Sequence, residues 1–358
     1  MYWGGYGWGI GGYGGRMAAG SVIGVDLGGT KLLAGALDGD LDVHHRAHRT
    51  ARGLEQAELL ECIVDAVGEA VRAAHQPVHG VGLGIPSLVD RTRGTSAHSV
   101  HLPLRGVPVR EVMAQRLRLP VWVDNDATAA MLAEWRLGAA VGARHAVLVA
   151  LGTGIGGGLV VEGTLVRGAR GMAGELGHVV VDPAGPACGP GCPNRGCLEA
   201  LASGTALARE ALGLAGEHPR SALGRAVADG KQVTGALATQ LARDGDPAAV
   251  EAVGRIGRWL GVGIAGLVNT FDPEVVVVGG GLVAAGDLLL APARKALARH
   301  GLPPLGELVP VVPARFGPES GMVGAAALAW EGLGRLPGGS DLLAPEDASA
   351  ALLRDGRA

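Results

Sequence analysis

The residues best equipped for chemistry gather in one stretch. Gly174-Glu175-Leu176-Gly177-His178 is followed by Cys188-Gly189-Pro190-Gly191-Cys192-Pro193-Asn194-Arg195-Gly196-Cys197-Leu198-Glu199. The chain has four cysteines, and all but Cys62 lie here. His178, Cys188, Cys192 and Cys197 sit on a Gly/Pro-rich backbone able to fold round a small ion. One neutral imidazole and three thiolates are the donor set of a closed tetrahedral zinc site. A disulfide with a spare thiol is the competing arrangement. The odd number of thiols and the lack of any sign of secretion argue against it. A metal would fix the loop and, with it, Glu175 and Glu199. Two carboxylates, an imidazole and a nearby amide suit a polyhydroxylated ligand and reject analogues that lack a hydroxyl.

Two glycine turns add a different capability. In Asp26-Leu27-Gly28-Gly29-Thr30-Lys31, paired glycines allow close backbone approach to a phosphate, and exposed N–H groups there bind anions. Asp26 can hold a hydrated magnesium ion, and Thr30 and Lys31 can reach phosphate oxygens. Leu151-Gly152-Thr153-Gly154 repeats the pattern in the second half. Facing each other across a cleft, two such turns can clamp a triphosphate. A glycine hairpin alone is usually only a turn, and the Walker spacing is absent. Asp124-Asn125-Asp126 closes an apolar run and leads into a helix. Asp126 could cap that helix, which would explain one of the three residues. A carboxylate at the carboxyl end of a strand can also accept a proton from a hydroxyl as its oxygen attacks phosphorus.

These residues need elements to hold them. Val22–Val25 reads as a buried strand feeding the first turn, with Leu32–Leu37 returning as its hairpin partner. Leu59, Leu60, Ile63, Val67 and Val71 share one face of a helix over Glu55–Ala74, in which Cys62 is a small core residue. Strands are expected at Val81–Ile85 and Val121–Val123, with a helix over Ala127–Leu137. The second unit begins with His145–Leu151 and Leu159–Val161. Helices over Ala202–Ala215 and Pro247–Phe271 follow, then an apolar strand, Val275–Val278, ending at Gly279-Gly280-Gly281. Strand, glycine turn, strand thus occurs once per half, a duplication at domain scale.

At 358 residues, with a net charge of −3, the chain has room for two cores and no electrostatic case for nucleic acid or an anionic membrane. No apolar run approaches a bilayer-spanning length. All three tyrosines lie in the first sixteen residues. That Gly/Tyr/Trp tract reads as a disordered extension, or as sequence preceding a start at Met17. After Trp330 the composition turns to Gly, Pro, Ser and Asp, as in a loosely held tail.

Taken together, Asp26–Lys31, Gly82-Leu83-Gly84-Ile85-Pro86, Val123–Glu134, Leu151–Gly158, Gly171–His178, Cys188–Glu199 and Val275–Gly281 resemble the ROK family of repressors and sugar kinases, within the actin/hexokinase ATPase superfamily. The resemblance implies an α/β fold of two duplicated actin-like, ribonuclease-H-like domains, with mixed sheets flanked by helices and a cleft between them. The expected division is an extension over 1–20, a smaller domain over 21–126 completed by a helix near 320–333, a larger domain over 127–319 with the zinc loop, and a flexible tail over 334–358. The implied activity is ATP-dependent phosphorylation of a hexose, with magnesium and a structural zinc. D-glucose going to glucose 6-phosphate is the leading expectation, in a cytoplasmic homo-oligomer, dimer or tetramer. By this resemblance Asp126 is the general base. Asn125, Glu175, His178 and Glu199 line the sugar, and His178, Cys188, Cys192 and Cys197 hold the zinc. Asp26, Gly28, Gly29, Thr30 and Lys31 serve magnesium and phosphate. Gly152, Thr153 and Gly154 give the second phosphate contact, and Gly279, Gly280 and Gly281 face the adenosine.

Two features depart from the family pattern. Cys188-Gly-Pro-Gly-Cys192 is two residues longer than the usual Cys-x-Cys, and His101 stands where many sugar-phosphorylating members have Asn before Leu. Fructose, mannose, allose or an N-acetylhexosamine is the alternative substrate. A sugar-responsive regulator is the alternative class, disfavoured because such members carry a helix-turn-helix ahead of the first turn. A purely structural metal protein would leave both glycine turns without a role.

Overall fold

The repeat expected from the two glycine turns is built into the sheets. The computed structural model describes residues 20–99 and 102–335. The amino-terminal aromatic tract, His101 and the far carboxyl-terminal tail lie outside the described residues.

The first sheet starts from a hairpin of β1 (Ser21–Leu27) and β2 (Lys31–Asp38), and β2 pairs antiparallel with β3 (Val43–Thr50). On its other side β1 runs parallel to β4 (Val78–Ile85). A small hairpin of β5 (Leu88–Asp90) and β6 (Thr95–His98) precedes β7 (Val121–Asn125), which pairs parallel with β4. The spatial order is β3-β2-β1-β4-β7. In the second sheet β8 (Ala146–Leu151), β9 (Ile155–Val161) and β10 (Thr164–Leu165) repeat the antiparallel half. A hairpin of β11 (Ala187–Gly189) and β12 (Cys192–Arg195) stands apart. β13 (Val275–Gly279) and β14 (Val311–Pro313) then repeat the parallel half, giving β10-β9-β8-β13-β14. The two orders are the same plan twice.

Most elements follow from apolar spacing. Gln56–Ala73 is helical, with Leu59, Leu60, Ile63 and Val67 buried and a reciprocal cap between Glu55 and Glu58. Cys62 packs half-buried at the edge of that core. Pro247–Phe271 is helical over its expected span, with Asp246 as its N-cap. One expected helix is divided, and one strand was not expected. The helix foreseen over Ala202–Ala215 is two: Leu198–Ala202 ends at Ser203, whose side chain accepts the N–H of Ala206 and starts Gly204–Glu217. The strand β3 was not foreseen, because Val-His-His-Arg-Ala-His-Arg-Thr buries only Ala47 and carries no alternation.

The helices Asp126–Leu137 and Ser320–Gly332 lie between the sheets. Their residues Met131, Val323 and Trp330 share a core with Val22 and Leu37 of the first sheet and Leu148 and Val277 of the second. Ser320–Gly332 presses on the first sheet backbone to backbone. A Cβ at Gly24 would lie 2.1 Å from the Met322 carbonyl oxygen, and one at Gly82 would lie 1.7 Å from that of Ala325. Glu134, fully buried, accepts the N–H groups of Ala139, Arg315 and Phe316 and the hydroxyl of Ser320, which pins the approach to that helix. Among the described residues, no helix is long and apolar enough to cross a membrane.

Candidate active site

The strand β7 delivers Asp124, Asn125 and Asp126 to the carboxyl end of the first sheet, and each side chain has a different assignment. Asp124 is 1% exposed; it accepts the N–H of Asn125 at 3.0 Å and the Nε of Arg167 at 2.7 Å. The Nη2 of Arg167 continues to Glu331 at 3.0 Å. The Oδ1 of Asn125 accepts the N–H groups of Ala127 and Thr128, both at 3.0 Å. Capping, offered by the sequence to Asp126, therefore falls to Asn125, because the helix begins at Asp126 itself. Its amide nitrogen makes only a 3.4 Å contact with the carbonyl of Ser87. The Oδ1 of Asp126 accepts the N–H of Ala127 at 2.9 Å.

Asp26, at the end of β1, meets this group. Its carboxyl lies against the start of the Ser320–Gly332 helix, where a Cβ at Gly321 would sit 2.5 Å from the carboxyl carbon. Burial of that carboxyl, and then the negative charge of Asp126, push its pKa up to about 7. Two carboxylates that repel each other in a crowded spot are an arrangement a bound cation would relieve.

The two glycine turns are built differently. In the first, the N–H of Gly28 donates to the Lys31 carbonyl at 2.8 Å, and Thr30 and Lys31 are exposed. In the second, the N–H of Gly152 donates to the Gly154 carbonyl and that of Gly204 to the Gly152 carbonyl, each at 2.9 Å. The hydroxyl of Thr205 donates to the Thr153 carbonyl at 2.8 Å. Glu199 sets a demand the sequence did not reveal. A Cβ at Gly154 would lie 2.1 Å from its Oε2, which accepts the N–H of Ile155 at 2.7 Å. Gly280, at φ +79°, passes so close to the end of β8 that a Cβ would meet the Leu151 carbonyl oxygen at 2.3 Å. Gly281 borders open space.

The cysteine cluster is closed. His178 Nδ1 lies 3.5 Å from Cys188 Sγ, and Cys192 Sγ lies 3.8 Å from Cys197 Sγ. All four donor atoms fall within 4.8 Å of one another. Tetrahedral bonds of about 2.3 Å to sulfur and 2.0 Å to nitrogen require about 3.8 Å between sulfurs and about 3.5 Å between sulfur and nitrogen. The four residues therefore fit such an ion. Burial raises the thiol pKa of Cys188 and Cys197, so that an ionised cluster calls for a cation. The longer cysteine spacing is absorbed by the β11–β12 turn, in which Gly189 pairs with Cys192 and Gly191 has φ +85° after Pro190. Pro followed by a left-handed Gly is the type II turn pattern.

His178 splits its two nitrogens. Nδ1 faces the sulfurs, while Nε2 lies 4.0 Å from an oxygen of Glu175. Burial, with help from Glu199, raises the pKa of Glu175, against the opposing influence of His178. The two lobes' groups are brought together where Ala127 packs on β9. A Cβ at Gly156 would meet Ala127 Cβ at 2.6 Å, and Gly156 follows Ile155, the residue held by Glu199. Arg167, Asp124 as its partner, and Glu331 were missed by the sequence reading. An arginine between Val166 and Gly168 has no spacing signature, and its partners come from distant segments.

Residues 22–331 match the model of the ROK family. The chain is 38% identical over 321 residues to a glucokinase of Streptomyces coelicolor, covering 87% of this chain and 98% of that one. It is 30% identical over 285 residues to the xylose repressor of Caldicellulosiruptor bescii, covering 78% and 70%. A crystal structure of a ROK family glucokinase from Streptomyces griseus, in complex with glucose and AMPPNP, superposes with a TM-score of 0.79. It is 37% identical and covers 87% of this chain and 100% of that one. The chain belongs to the ROK family.

Proposed function

We propose that the protein is an ATP-dependent glucokinase that transfers the γ-phosphoryl group of ATP to D-glucose, giving glucose 6-phosphate. The observation that carries this reading is the packing of Ala127 on Gly156. It brings the start of the Asp126 helix against β9, one residue from Ile155, whose N–H the Glu199 carboxylate accepts, which supports a proton acceptor and a hydroxyl-reading group serving one sugar. The similarity to glucokinases over most of the chain supports the choice of sugar.

In this reading Asp126, whose Oδ1 takes the N–H of Ala127, accepts the proton of the attacking hydroxyl at its carboxylate. Asn125 Nδ2, Glu175, Glu199 and the Nε2 of His178 bind the sugar hydroxyls. Asp26 holds the hydrated magnesium ion, whose role is to neutralise charge on the phosphates. Thr30 and Lys31, with the backbone of Gly28 and Gly29, position the phosphates from one side. Gly152, Thr153 and Gly154 do so from the other, and Gly279, Gly280 and Gly281 border the adenosine. His178, Cys188, Cys192 and Cys197 hold a structural zinc that fixes Glu175 and Glu199. The first sheet, covered by Ser320–Gly332, serves as the smaller lobe and the second as the larger.

A coupled assay of ADP release with ATP across a panel of hexoses tests the reading. Glucose should exceed its epimers by roughly tenfold or more in kcat/KM, because an inverted hydroxyl leaves a buried polar group unpaired. Faster turnover of fructose or N-acetylmannosamine would overturn the choice of sugar and leave the kinase chemistry standing. Sugar binding without ADP release would favour the repressor-like reading.

A further inference from the structure

On the far side of Asp124 lies a concavity of about 380 Å³ that the proposed kinase chemistry leaves unused. Arg91 and Thr92 at the β5–β6 hairpin, Arg110, Trp122 on β7, and Arg167 and Arg170 from the loop after β10 form its walls. Four arginines line it and no Asp or Glu does, in a chain whose acids outnumber its Lys and Arg by 34 to 31. Such a local concentration of one sign in a net-acidic chain creates a field that draws a counter-ion.

The cations are available to a ligand. The Arg110 guanidinium donates to the backbone carbonyls of Arg91 and Thr92, which orient it without neutralising its charge. Arg170 is exposed and, among the described residues, is paired with no carboxylate. Arg91 reaches Glu331 only at 3.5 Å and is 47% exposed. Arg167 is held through Nε by Asp124 and through Nη2 by Glu331, so its third nitrogen is not used by either. Burial and the neighbouring charge of Arg167 also hold the pKa of Arg91 below the usual arginine value, as expected for cations crowded together.

We propose that this pocket binds a phosphate-bearing anion, inorganic phosphate or the phosphomonoester of a small metabolite. Planar guanidinium forks match tetrahedral oxyanions in bidentate fashion, and the Thr92 hydroxyl adds a neutral donor. The volume exceeds the needs of a bare phosphate and leaves room for a small ester. The pocket shares Arg167 with Asp124, which accepts the N–H of Asn125 at 3.0 Å. Two hydrogen bonds, Arg167 to Asp124 and Asn125 to Asp124, thereby separate the pocket from the Asn125–Asp126 helix start, and any coupling between the two sites is reciprocal.

Equilibrium dialysis of the full chain against labelled inorganic phosphate or labelled glucose 6-phosphate, with saturating unlabelled glucose, tests the proposal. The wild-type chain should bind about one anion with an affinity at least tenfold greater than the Arg170→Glu variant and the Arg110→Ser/Arg170→Ser double variant. Arg170 is exposed, so its charge reversal leaves the fold intact even if the double variant loosens the hairpin. Equal affinity for both probes would assign the pocket to the phosphate group alone, and preference for the ester would assign it to a sugar phosphate; both support the proposal. No saturable binding in the wild-type chain, or an affinity unchanged in Arg170→Glu, overturns it.

Discussion

Outside its own closing bond, the first glycine turn is held by the N–H of Ala51 on the Thr30 carbonyl and opens to solvent, whereas the second is tied down from three sides. Gly28 bonds within the turn to Lys31, and Thr30 and Lys31 are exposed. Gly152, Thr153 and Gly154 are fixed by Gly204, Thr205 and Glu199. One topology, used twice, has produced a solvent-facing turn beside the Asp26 and Asp126 carboxylates and a buttressed one beside Glu199 and the cysteine cluster. The lesson is that duplicated backbone does not imply duplicated duty. In the proposed kinase reading the first copy handles reacting charge and the second holds a recognition surface in shape.

The sharpest way to break this division is at Asp126. Asp126→Asn preserves size and polarity but removes the proton acceptor, so kcat should fall by roughly a hundredfold or more with little change in sugar affinity. Near-normal turnover in the purified variant would sink the assignment. Next in size is a paired test of the two turns. Gly154→Ala drives a methyl into Glu199 Oε2 and threatens its bond to Ile155, so sugar kcat/KM should drop roughly ten- to a hundredfold, for about 1–3 kcal/mol. Gly28→Ala meets only the Lys31 carbonyl oxygen at 3.3 Å, so its loss should fall on the KM for ATP, with sugar affinity changed no more than a few-fold. Equal losses at the two positions would erase the contrast between them.

Smaller effects concern the metal and the buried acid. Elemental analysis should find about one zinc per chain. Cys188→Ala should lower Tm and weaken glucose binding while leaving the KM for ATP within a few-fold, since only the second copy hangs from the zinc loop. A zinc-free protein with all three thiols reactive and full sugar affinity would refute that dependence. Asp26 should leave its mark on stability. Unfolded, it ionises near 3.8; folded, near 7. Between those values the folded chain keeps a proton that the unfolded chain has lost, so its contribution to stability is present at low pH and is lost as pH rises through about 7. In the absence of nucleotide, the Tm of Asp26→Asn relative to wild type should therefore climb across that window. A difference that stays constant with pH would show that Asp26 is not perturbed.

Much of this was legible in the chain because the relevant signals are local. Apolar runs that end at Gly28, Asp124, Gly152 and Gly279 disclosed the strands feeding the site, and His178 with three cysteines announced the cluster. What escaped was set by distant partners. The strand β3 is an edge strand with polar faces and earns its place by pairing with β2. Glycine at 154 answers to a carboxylate 45 positions away, at Glu199. The capping role passed from Asp126 to Asn125 because the helix starts one residue earlier than its apolar pattern. Arg167 matters through Asp124 and Glu331, on segments far before and after it.

The tight seat of Ser320–Gly332 on Gly24 and Gly82 bears on how the chain is made. Every strand of the first sheet has been synthesised once Asn125 is joined, yet the helix that covers one face of it is among the last described segments to be made. During elongation that face stays open while the second sheet is being built. The nascent first half thus keeps an apolar face uncovered until the carboxyl-terminal helix arrives, and a stop before Ser320 would leave that face without the backbone-to-backbone seat at Gly24 and Gly82.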